Sequence, residues 1–127
     1  PMLFLHGDAD DYTPIAPCQD YADRIAKAGT PVEFVVLEGA HHKFDSDDPK
    51  RHFLRNVIRT VAECPIETDI DTMATFDRNS GARLQGAAHA AALKGCGAIG
   101  ATIEGNSRAR DKARDTAIAF LKKVFAI

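Results

Sequence analysis

The sequence predicts an α/β fold organised around a parallel βαβ unit. Three observations predict it: a continuous apolar run at residues 2–5 (MLFL), a β-branched run at Val32–Leu37 (VEFVVL), and an apolar stripe at helical spacing between them. A short unbroken apolar run suits a strand covered on both faces. Two such strands joined by one helix pair in parallel, with a right-handed crossover.

Each element has its own punctuation. Thr13 is placed to cap the first helix, with Pro14 at its first position, where the missing N–H costs nothing. Ile15, Cys18, Tyr21, Ala22 and Ile25 then recur at spacings of three and four, and Gly29 stands where a left-handed cap is needed. Pro31 and Gly39 bound the second strand. Asp48 and Pro49 predict a second helix with Phe53, Leu54, Val57, Ile58 and Val61 on one face, stopped by Pro65. Residues 65–106 read as an irregular excursion holding a short strand at 73–76, a turn at Asn79–Ser80–Gly81 and one short helix in the alanine-rich stretch 85–93. Asn106 or Ser107 caps a final helix whose Ala113, Ala117, Phe120, Leu121 and Val124 share a face. The whole is a single segment, 1–127, with no internal repeat.

Bulk properties narrow the function classes. The 127 residues are 45% hydrophobic and 27% charged, ordinary for a globular domain. A net charge of −2, with cations scattered among acids, argues against nucleic acid or an anionic membrane as partner. Cys18 falls on the apolar stripe of the first helix and reads as core. Cys64 and Cys96 read either as a bridge or as two separate buried thiols.

Parallel strands release their following loops at one sheet edge, where open α/β sheets place their ligands. That edge receives "GDADDYTP" (residues 7–14) after the first strand and "GAHHKF" (residues 39–44) after the second. Four chemistries compete for the acidic loop. It can be a solvated turn, with Asp8 and Asp11 bonding back to their own backbone. It can be a phosphoryl-transfer motif, but Gly7 intrudes before the first acid and Tyr12 follows Asp11, which spoils that spacing. It can be a metal site drawing on His6, Asp8, Asp10, His41 and His42, although adjacent histidines in a loop do not easily reach one ion. It can be a carboxylate that fixes the tautomer of a catalytic histidine and stabilises the imidazolium formed in turnover.

The pattern Gly-x-x-Asp-x-x-x-Pro after one strand and Gly-Ala-x-His-x-Phe after the next resembles the C-terminal half of an α/β-hydrolase, more narrowly the dienelactone hydrolase family. The closing "GATIEGNSRARDKARDTAIAFLKK" is similar to that family's last turn and helix. The resemblance implies the C-terminal part of an α/β-hydrolase fold, with the N-terminal half lying upstream of Pro1. It implies Asp10 as triad acid, His42 as triad base, an ester or lactone as substrate, and no cofactor or metal. Phe44 then packs beneath the histidine loop, His41 is a polar loop residue, and His6 is structural. His52 and His89 lie on the surface of helices.

A nucleophile elbow, Gly-x-Ser-x-Gly or its cysteine equivalent, is missing: the three serines stand in DSD, NSG and NSR, and Cys96 is flanked two residues away by Lys94 and Ala98. The expected nucleophile therefore lies upstream, and residues 1–127 alone are expected to be inactive. A sheet deprived of neighbours predicts a homo-oligomer formed through its exposed edge. The rival reading is a non-catalytic α/β-hydrolase-like binding module; the metal-dependent hydrolase is the third.

Overall fold

The computed structural model describes residues 1–60 and 64–126. Its core is the predicted unit: β1 (Met2–Gly7), α1 (Ile15–Lys27) and β2 (Val32–Leu37). β1 and β2 are parallel and in continuous register from Met2↔Val32 to Gly7↔Leu37. Side chains alternate between the two faces of such a pair. Phe4 stacks on Phe34 with centroids 5.6 Å apart, and Tyr21 of α1 meets Phe4 edge-on at 6.2 Å. Leu5, Val35 and Leu37 point the other way, where α3 (Ser107–Phe125) buries Ala109 and Ala113 against Leu37 and Ala40. A helix thus covers each face, and alanines let α3 approach the sheet closely.

Helix ends follow local chemistry, with one change. α1 starts at Ile15 and Pro14 is its N-cap, without a side-chain capping bond; the Thr13 N–H instead donates to Asp10 Oδ1 at 2.8 Å. Gly29 adopts the left-handed conformation (φ +93°) expected just past the helix end. Asn106 caps α3 by accepting from the Ala109 N–H at 3.0 Å.

The segment expected to be a second helix is a strand. β3 (His52–Thr60) pairs antiparallel with β6 (Gly97–Ile103), and the register shifts between Leu54 and Ile58. Leu54 and Val57 are half-buried while Phe53, Arg55, Asn56 and Ile58 are exposed. The irregularity places two inward side chains three residues apart, which imitates a helical repeat. Val61, also assigned to that helix, lies outside the described residues. His52 consequently sits on a strand, exposed, with Nε2 3.1 Å from Asp48 Oδ2.

Residues 65–106 are more regular than the sequence suggests. β4 (Ile66–Thr68) and β5 (Thr75–Asp77) form an antiparallel hairpin, α2 spans Gly86–Cys96, and β6 follows at once. Cys64 and Cys96 are joined by a disulfide across a sequence separation of 32, leaving Cys18 as a free cysteine. His89 lies on α2, half-buried.

Candidate functional site

The two loops predicted to share an edge do so, and they are stitched together beyond the last paired residues. The Asp8 N–H donates to the Leu37 carbonyl at 3.3 Å, and the Ala9 N–H donates to the Ala40 carbonyl at 3.2 Å. Gly7, buried at the end of β1, makes this approach possible: a Cβ there would collide with the Ala40 carbonyl.

Each aspartate of the acidic loop has a different task. Asp8 Oδ1 accepts from the Gly39 N–H at 2.6 Å and ties the acidic loop to the turn after β2. Asp10 Oδ1 accepts from the Tyr12 and Thr13 N–H groups at 2.9 and 2.8 Å, which locks the turn around the carboxylate itself. Its second oxygen accepts from His42 Nδ1 at 3.0 Å. Asp11 Oδ1 and Oδ2 accept from the N–H and hydroxyl of Thr102, at 2.7 and 3.0 Å. Asp8 and Asp11 are therefore long-range struts, not the local turn formers expected of them.

The Asp10 side chain is 9% exposed and that of His42 is 39% exposed. A carboxylate accepts only, so the 3.0 Å bond puts a proton on Nδ1 and selects the tautomer whose free nitrogen is Nε2. The Tyr12 and His42 rings meet in a T-shaped arrangement, centroids 4.8 Å apart and planes at 76°. His42 and Asp10 line an open cleft of about 590 Å³, with Leu5, Phe44, Leu54 and Ile103 as apolar walls.

The histidine loop is held from behind by the chain that follows β6. His42 forms a parallel bridge with Ile103, and the Glu104 N–H donates to the His42 carbonyl at 3.1 Å. The Gly105 and Asn106 N–H groups donate to the Asp48 and Phe44 carbonyls at 3.0 and 2.9 Å. Phe44 packs against the cluster of Leu37, Ala40, Ala109 and Ala113. Lys43, directly after His42, has φ +68°, a left-handed conformation that costs a lysine of the order of 1 kcal/mol.

The remaining imidazoles are dispersed. His41 Nε2 lies 3.7 Å from Glu104 Oε2, which accepts from Arg51 Nε at 2.8 Å, and His41 Nδ1 is buried without a partner among the described residues. His6 Nδ1 is 2.9 Å from the Gly7 carbonyl oxygen. Among the described residues no three His, Cys, Asp or Glu side chains are grouped so as to hold a metal ion. Cys96 is consumed in its disulfide. Cys18 lines the cleft, a position its place on the stripe with Ile15, close to the start of α1, could have signalled. No sequence signal announced Thr102 as the partner of Asp11.

A profile of the prolyl oligopeptidase family matches residues 1–64, which include both loops. No curated protein and no solved structure gives a match. The match covers half the chain and spans β1, α1, β2 and both loops. The chain belongs to the prolyl oligopeptidase family, serine hydrolases built on the α/β-hydrolase fold.

Proposed function

We propose that this chain supplies the base and the acid, His42 and Asp10, of an acyl-transfer hydrolase whose nucleophile lies outside residues 1–127, and that its substrate is an ester or lactone. The observation carrying the reading is the 3.0 Å bond between His42 Nδ1 and Asp10 Oδ2 at the mouth of a largely apolar cleft. In this mechanism His42 Nε2 takes the proton of a serine or cysteine as it attacks the substrate carbonyl. The imidazolium, stabilised by Asp10, returns that proton to the leaving alkoxide. His42 then activates water for the second half-reaction. Ser46, Ser80 and Ser107 do not line the cleft, which supports an external nucleophile. The dienelactone-like motifs around Asp10 and His42 favour ester or lactone over peptide as the substrate.

The test is turnover by the full-length protein of a chromogenic short-chain ester, a simple lactone and a proline-containing peptide anilide. Ester and lactone hydrolysis, lost in His42→Ala and unchanged in Cys18→Ser, is the expected result. Hydrolysis of the anilide alone would make the protein a peptidase. Ligand binding without any turnover would make it a non-catalytic module.

A further inference from the structure

Asp10 and Asp11 are adjacent in sequence yet grip one histidine from two directions. Asp10 holds the imidazole ring. Asp11 reaches across a separation of 91 residues to take both donors of Thr102 on β6. The residues next to Thr102 hold the histidine's main chain: Ile103 bridges His42, and the Glu104 N–H donates to its carbonyl at 3.1 Å. β6 is thereby pinned along one edge by a carboxylate of the acidic loop and by the backbone of His42, while β3 pairs with its other edge. A partly buried carboxylate accepting two hydrogen bonds, one from a main-chain amide, is a strong and directional tie. Catalytic side chains must be kept within about 0.5 Å of their working geometry, which requires support of this kind.

We propose that Asp11 is a positioning residue for the His42–Asp10 pair, acting through Thr102, and that the β3–β6 strand pair is a working part of the site and not an appendage. The inference rests on the proposed role of His42. Its chain of contacts explains why the acidic loop carries a carboxylate that neither faces the histidine nor closes its own turn. Leu54 and Ile103, the residues of this strand pair that wall the cleft, are set in place by the same tie.

The experiment reads the Nδ1 proton of His42 by NMR in full-length protein labelled with nitrogen-15 histidine. This proton is held in the bond to Asp10, and its exchange with solvent reports how often that bond opens. Asp11→Ala and Thr102→Val should each speed the exchange, by about tenfold for the aspartate variant. Thr102→Ser, which keeps both donors, should restore the original rate. Arg59→Met removes a bond within the same strand pair, from Arg59 Nε to the Gly100 carbonyl at 2.9 Å, and should leave the rate unchanged. If Asp11→Ala fails to fold, Thr102→Val carries the test, because it deletes only a hydroxyl. Unchanged exchange in Thr102→Val or in a folded Asp11→Ala would overturn the proposal. So would equal acceleration in Arg59→Met, which would mark general loosening. The readout needs no turnover, so failure of the hydrolase reading leaves it interpretable. Where ester turnover is present, Asp11→Ala should lower kcat with KM unaltered.

Discussion

Asp10 performs two jobs with two oxygens, and substitutions can separate them. Asp10→Asn keeps an amide oxygen for the Tyr12 and Thr13 N–H groups but presents an NH₂ group to His42 Nδ1. That reverses the donor–acceptor sense of the bond and leaves the proton on Nε2, the wrong tautomer for a base. Turnover should fall by about 10⁴-fold with melting temperature unchanged. Asp10→Ala loses the turn as well, and should cost about 1–2 kcal/mol in urea denaturation besides the activity. Lys43 calls for the opposite substitution. Glycine accepts its φ of +68° without strain, so Lys43→Gly should be neutral to stabilising, by at most about 1 kcal/mol, in the same assay. Asp10 and His42 were legible because each stands in a short motif beside a strand end. Asp8 and Asp11 were not. Their partners, Gly39 and Thr102, are 31 and 91 residues away, and a carboxylate in a turn looks the same whether it bonds locally or reaches out.

The βαβ unit was readable because its signals are local: two apolar runs, a stripe at spacings of three and four, and a glycine past the helix end. β3 defeated that approach. The register shift between Leu54 and Ile58 destroys the two-residue alternation, and the strand's identity resides in its pairing with β6, far along the chain. Periodicity within a segment cannot reveal a distant partner. Between β1 and β2, Gly7→Ala should press a methyl group against the Ala40 carbonyl and destabilise by about 1–3 kcal/mol in urea denaturation, with ester turnover falling as the loops separate. Turns outside the unit carry a pH signature. Asp48, Asp69 and Asp77 are held below the ordinary value of 3.8, chiefly by backbone N–H groups of Lys50, Thr72 and Ser80 respectively. Their folded pKa lies below the unfolded one, so what they contribute is complete above about pH 4 and disappears as pH falls through the lowered values. Amide exchange at Lys50, Thr72 and Ser80 should accelerate in that acid window, beyond the intrinsic pH dependence, while amides of β1 and β2 remain protected.

At the scale of the molecule, the described residues form three two-stranded sheets, and among them only the β1–β2 sheet is covered by helices on both faces. The disulfide between Cys64 and Cys96 closes a loop with a separation of 32, and reducing it should cost about 3–4 kcal/mol, seen as a lowered unfolding midpoint. Strands β1 and β2 each have one edge without a strand partner among the described residues, and Phe53, Ile58 and Ile99 of the β3–β6 pair are exposed. Sedimentation of residues 1–127 at high concentration should show dimers or larger species; a single monomeric boundary would refute this.

The tie between Asp11 and Thr102 also sets a timetable for biosynthesis. Asp10 and His42 are synthesised well before the strand that braces the histidine and the helix that seals Leu37 behind it. A nascent chain that stops before β6 therefore carries both site residues without their brace.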